Sequence, residues 1–153
     1  LHLSLRRQRQ MCIRDRDGIP FKAAPVKGSY SALNCLYLTQ IDSVFAREQY
    51  HRLKSHFLQS GLLSGIREYH DYSCWLGFDI DAGPVLFNLS PSGTAFAVGA
   101  ATYFNDVRVR NNFLRTAEIA GHSVMWNNTR HYLLAEIELV GECIMLAMRT
   151  TTP

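Results

Sequence analysis

The sequence predicts an all-α fold of antiparallel helical hairpins, and three observations carry that prediction. Residues 93–104 are apolar nearly all round and residues 29–40 are mostly so, the pattern of helices buried on most faces. Each is followed at once by a segment with one apolar stripe and one charged side, the pattern of a helix that covers another. Ile41-Asp42 and Asn105-Asp106 stand between them, residues that stop one helix and cap the next.

Residues 1–16 stand apart from this pattern. Arg6-Arg7-Gln8-Arg9-Gln10-Met11-Cys12-Ile13-Arg14-Asp15-Arg16 resembles the translation of a transposase-end sequencing adapter, so the stretch is expected to be a non-native tail. The rival reading is a basic arm for nucleic acid or an anionic membrane. Without its five arginines and one aspartate the formal charge of +3 becomes −1, and the basic field that would suggest nucleic acid disappears. Residues 17–153 are then expected to form a single partial domain, with apolar content ample for one core.

Gly18, Pro20, Pro25 and Gly28 make residues 17–28 extended or turning chain. Ser29 is the expected N-cap of the first helix, in which Ala32, Leu33, Cys35, Leu36, Tyr37 and Leu38 face mostly inward. Asp42 caps a second helix to about Leu58; Ala46, Tyr50, Leu53 and Phe57 share one stripe, and Arg47, Glu48, Arg52 and Lys54 mark the wet side. Ser90-Pro91 opens a third helix as N-cap and first-turn proline, and its small residues let a neighbour come close. Residues 107–120 set Val109, Phe113, Leu114 and Ala117 against Arg108, Arg110, Asn111, Arg115 and Glu118, with Gly121 at the stop.

Residues 122–129 read as a polar loop containing Trp126, and residues 130–149 as a fifth helix. That helix has no outer partner, so the chain is expected to be truncated at both ends. Its apolar run, residues 133–148, contains Glu136, Glu138 and Glu142 and is too short to span a bilayer comfortably. Cys35, Cys74 and Cys143 lie in apolar settings without C-x-x-C spacing and read as small buried hydrophobes. His70, His122 and His131 have no partners at metal-ligand spacing, so neither a metal nor another cofactor is expected.

Candidate chemistry concentrates in residues 65–91, too rich in glycine and aromatics for one helix. Asp79 and Asp81 are two apart and project to one side of an extended stretch. With Glu68 they offer paired carboxylates, and hydrolysis of a glycosidic bond uses two: one acid, and one base or nucleophile. Tyr69, Tyr72 and Trp75 supply flat faces for a sugar ring or an apolar pocket, and Arg67 can hold a carboxylate. The same residues also have plain structural readings. Asp79 and Asp81 can shape the turn before Gly83-Pro84, Arg67 can pair with Glu68, and Trp75 and Trp126 can be core. Asn88-Leu89-Ser90 and Asn127-Asn128-Thr129 match the N-glycosylation pattern.

Gly65-Ile66-Arg67-Glu68-Tyr69 and Trp75-Leu76-Gly77-Phe78-Asp79-Ile80-Asp81-Ala82-Gly83-Pro84-Val85, followed by a small-residue helix, resemble bacterial proteins of the six-hairpin (α/α) toroid class. Gly28-Ser29-Tyr30-Ser31-Ala32-Leu33 and residues 41–50 are similar in the same sense. The resemblance covers most of residues 18–149 and implies a fragment of an (α/α)6 toroid whose inner-helix starts line a bowl. That class holds glycosidases, polysaccharide lyases, sugar epimerases and a terpene-alcohol dehydratase/isomerase, so the fold by itself names no activity.

What the resemblance implies is a glycoside hydrolase-like enzyme with Asp79, Asp81 and Glu68 as its acid/base groups. Arg67, Tyr69, Tyr72, Trp75 and Tyr30 would line the substrate. The expected partners are a small-molecule or glycan ligand and the missing remainder of the chain, with no nucleic acid and no membrane span. Two other functions suit these residues: a dehydratase/isomerase of an apolar alcohol, and a non-catalytic helical-repeat module that binds a glycan or a protein. The last gains if the carboxylates point into the helical wall, each satisfied by backbone donors.

Overall fold

The computed structural model describes residues 26–71, 75–79, 83–121, 123–132, 144 and 147–150. Its elements run α1 (Gly28–Leu38), α2 (Ser43–Phe57), β1 (Leu58–Gln59), β2 (Gly65–Ile66), β3 (Leu76–Asp79) and β4 (Gly83–Leu86). Then follow α3 (Pro91–Tyr103), α4 (Val107–Gly121), β5 (Ser123–Trp126) and β6 (Thr129–Tyr132). Four helices stand where the apolar periodicity puts them, and α2 and α3 carry the caps expected. Asp42 Oδ1 accepts the N–H groups of Val44 and Phe45, both at 3.0 Å, and Ser90 Oγ accepts that of Gly93 at 3.1 Å ahead of Pro91.

The all-α expectation is overturned. Three two-stranded antiparallel ribbons, β1-β2, β3-β4 and β5-β6, accompany the helices, so the chain is mixed helix and strand. The clearest physical reason lies at β5-β6. Asn127 and Asn128 both take positive φ, 47° and 63°, and two such residues make a hairpin turn whose twist matches antiparallel strands. The segments on either side, Ser123-Val124-Met125-Trp126 and Thr129-Arg130-His131-Tyr132, pair from Ser123 with Tyr132 to Trp126 with Thr129. Most of the polar loop expected at 122–129 and the start of the fifth helix are therefore a strand-turn-strand hairpin, Ser123–Trp126 and Thr129–Tyr132. Most of the rest of that expected helix lies outside the described residues, although Ile144 and Met148 pack on the core.

The layering follows from which helices are apolar. α1 packs against α3, α2 against α1, and α4 against α3, so each apolar helix is backed by an amphipathic one. α3 is buried along nearly its whole circumference, from Gly93 and Thr94 through Val98 to Ala101. Its small side chains set the approach: a Cβ on Gly99 would lie 3.2 Å from Leu36 Cδ1. α2 buries Ala46, Tyr50, Leu53 and Phe57, the predicted stripe. α1 is less enclosed than expected; Ala32 and Cys35 are buried while Tyr37 is 61% exposed. Each large apolar side chain buried in this core contributes about 1.5–3 kcal/mol.

One cap differs from the expectation, and the difference positions the site. α1 is capped by Lys27 in extended conformation, not by Ser29, which sits inside the first turn. The Gly28 N–H is given to the Glu68 carbonyl at 2.9 Å, which starts the helix earlier and leaves the Ser29 hydroxyl available for another acceptor.

Candidate functional site

Residues 66–69 are sewn to the starts of both inner helices. On one side Gly28 donates to Glu68, and Lys27 bridges Tyr69; on the other the Glu68 N–H is given to the Asn88 carbonyl at 3.0 Å, and the Ser90 N–H to the Ile66 carbonyl at 2.8 Å. Thr94 of α3 accepts the Ile66 N–H through its hydroxyl at 3.0 Å. The two helix starts nearly touch: a Cβ on Gly93 would fall 2.9 Å from the Ser29 Cα. Each helix N-terminus carries N–H groups without intrahelical partners and a partial positive charge, so negative charge is favoured where they meet.

Glu68 lies at that meeting point with 0% of its surface exposed. Ser29 Oγ donates to its Oε1 at 2.9 Å. Its Oε2 has no hydrogen-bond partner among the described residues, and neither the amide oxygen nor the amide nitrogen of Asn88 has one. Asn88 is likewise 0% exposed. Leaving a buried polar group unsatisfied costs about 1–3 kcal/mol, so three such atoms on adjoining residues call for a physical reason.

The other predicted residues take these places. Arg67 is buried and donates from Nη2 to the His56 carbonyl, which ties it to the last turn of α2. Tyr69 is half-buried beside Lys27. Trp75 is 60% exposed, edge-to-face against Phe87 at 5.4 Å, and its carbonyl accepts the Asn88 N–H at 3.1 Å. Tyr30 is exposed with the Lys27 ammonium 5.7 Å from its ring centre. Asp79 ends β3, paired in register with Gly83. Tyr72 and Asp81 lie outside the described residues, as do Cys74, Cys143 and His122.

Glu68 therefore sits in the helical wall, its carboxyl held among the described residues by a side-chain hydroxyl and not by backbone donors. Asn88, the asparagine of one of the two N-glycosylation matches, is fully buried in the folded chain. Sequence reasoning missed Asn88 and Ser29 as site residues. Phe87 and Asn88 both take positive φ, a conformation asparagine tolerates, and that residue type is the turn signal that could have drawn attention to the first.

A second polar centre sits between α2 and α4. Asp106 accepts from Lys54 at 2.8 Å, from the Tyr50 hydroxyl at 3.1 Å and from the Val109 N–H at 3.3 Å. Burial pushes its carboxyl up, but the bond from Lys54, the Val109 N–H, the Lys54 charge and Tyr50 outweigh that and hold it below the usual range. Tyr50 is driven far up by burial and then by Asp106. An open groove of about 670 Å³ lies here, lined among others by Lys54, Ser64, Asp106, Arg108 and Asn112. A smaller one of about 260 Å³ separates α1 from α2 beside Cys35, whose thiol burial pushes up to about 11. Neither groove is lined by Glu68 or Asn88.

The chain matches no protein-family model, no curated protein and no solved structure. Among the described residues, no helix is long and apolar enough to cross a membrane.

Proposed function

We propose that this chain belongs to an enzyme acting on a carbohydrate or similar polyhydroxylated ligand by general acid/base chemistry, with Glu68 as the central carboxyl. The observation that carries this reading is the state of Glu68: wholly buried where two helices begin, one oxygen on Ser29 and the other without a partner among the described residues. A carboxyl so placed exchanges a proton with a hydroxyl brought against its second oxygen, while Ser29 holds the first in position. Asp79 and Asp81 remain the candidates for the second carboxylate that glycoside hydrolysis uses. Trp75, exposed just before β3, offers a flat face for a sugar ring.

Glu68→Gln keeps the shape and the acceptor for Ser29 while removing the exchangeable proton. Turnover of aryl glycosides is expected to fall by about 10²–10⁴-fold, with the thermal midpoint within a few degrees of wild type. Retained turnover, or loss of folding in equal measure, would return Glu68 to a purely structural role. Trp75, Leu76, Leu86 and Phe87 are exposed apolar side chains in and beside the β3-β4 ribbon, which favours a second reading, dehydration or isomerisation of an apolar alcohol. Terpene alcohols assayed beside the glycosides separate the two.

A further inference from the structure

The groove between α2 and α4 is separate from Glu68, and its volume of about 670 Å³ falls within the range of small-molecule sites, about 300–1,000 Å³. Its α4 wall comes in rows. Val109 and Phe113 stand four residues apart and so do Arg108 and Asn112, which sets an apolar row beside a polar one along the same side of the helix. Leu58 of β1 joins the apolar row; it and Val109 pack on the core, and Phe113 is buried within it, so the floor of the groove continues the hydrophobic core. Ser60 and Asn112 bring a hydroxyl and an amide to the same groove, both able to give a hydrogen bond.

Charge decides what such a groove takes. Lys54 and Arg108 stand against Asp106 among the lining residues, a surplus of one positive charge. Lys54 is committed, since its ammonium lies 2.8 Å from Asp106 Oδ2 and 4.6 Å from the centre of the Tyr50 ring. The surplus therefore belongs to Arg108, which is exposed. Its position does nothing for the helix that carries it. α4 opens Val107-Arg108-Val109-Arg110, with no acid in the first turn beyond Asp106 that caps it, so two cations stand at the end where the helix is already positive. An anion held there meets the guanidinium fork and the helix start together. A monoanion balances the lining, whereas a dianion would leave one negative charge in excess beside Asp106. We propose that this groove is a binding site for a small amphipathic carboxylate, its head on Arg108 and its apolar body along Leu58, Val109 and Phe113.

The test is a titration of the ¹⁵N-labelled protein with octanoate, followed on the backbone amide signals of Ser60, Gly61 and Asn112, with acetate, octanol and octyl phosphate beside it. Octanoate is expected to move these signals saturably within about 10 mM, and Arg108→Glu to weaken its binding about tenfold. That variant puts an acid where the start of α4 favours one, so its thermal midpoint is expected to stay within a few degrees of wild type. No saturable shift with octanoate overturns the proposal. So does an equal response to acetate, which would mean surface charge alone, or to octanol, which would mean apolar contact alone. Octyl phosphate binding tenfold more tightly than octanoate would overturn the carboxylate assignment in favour of a phosphate ester. The wild-type titration decides these points even if Arg108→Glu fails to fold. Glu68→Gln is expected to bind octanoate as wild type does, because Glu68 does not line the groove; binding lost in that variant would tie the shifts to the other site and overturn this one.

Discussion

Two buried or half-buried acids in this chain are treated in opposite ways. Asp106, at the start of α4, is surrounded by Lys54, Tyr50 and a backbone N–H, beside a wide groove. Glu68, between the starts of α1 and α3, is sealed from solvent and has, among the described residues, a single hydroxyl on one oxygen. A carboxylate that joins two outer helices is saturated with donors, because each donor lowers the cost of its partial burial. Those three donors take most of its acceptor sites. The under-satisfied acid carries a cost without an evident structural return, and such sites are where function is to be sought.

The comparison can be broken at its tightest point first. A methyl group at position 28 would overlap the Arg67 carbonyl oxygen and crowd Ile66 Cγ2, so Gly28→Ala is expected to cost about 3 kcal/mol in urea unfolding. An unchanged midpoint would mean that the junction gives way easily, and the enclosure of Glu68 would lose its significance. Asp106→Asn comes next, with an expected loss of about 1–2 kcal/mol at neutral pH as the Lys54 bridge weakens.

The sign of the pH effect follows from the direction of the Asp106 shift. Its carboxyl is lower in the folded chain than in the unfolded one, so its stabilisation is complete above the unfolded value of about 3.9 and is lost as pH falls through the lower folded value. Unfolding measured from pH 6 to pH 2.5 should show this acid-side loss in wild type and a smaller one in Asp106→Asn. Equal acid sensitivity of the two proteins would contradict the assignment. The smallest effect belongs to the open side of the groove. Arg108 is exposed there, and Arg108→Ala should move the unfolding free energy by no more than about 0.5 kcal/mol. A larger change would show that the groove wall is structurally engaged.

Much of the helical layer was legible beforehand. The buried stripe Ala46, Tyr50, Leu53 and Phe57 follows from spacing alone, and Asp42 and Ser90 cap the helices they were assigned. The ribbons were less so, although Asn127-Asn128 between two segments rich in β-branched and aromatic residues carried a hairpin signal that an apolar count over 130–149 obscured. Of the candidate site, Glu68 was legible as one acid among several. Its isolation was not, since that depends on Ser29 and Asn88, 39 residues before it and 20 after it.

Local composition alone set where α2 and α3 begin, which faces are oily and which residues punctuate them, because those preferences act over one or two turns. Which acid is enclosed and which is saturated came only from the way α1 lies on α3. That packing joins segments far apart in the chain, and glycine at 28 and 93 lets their backbones meet closely enough to shut a carboxyl and an amide away from water.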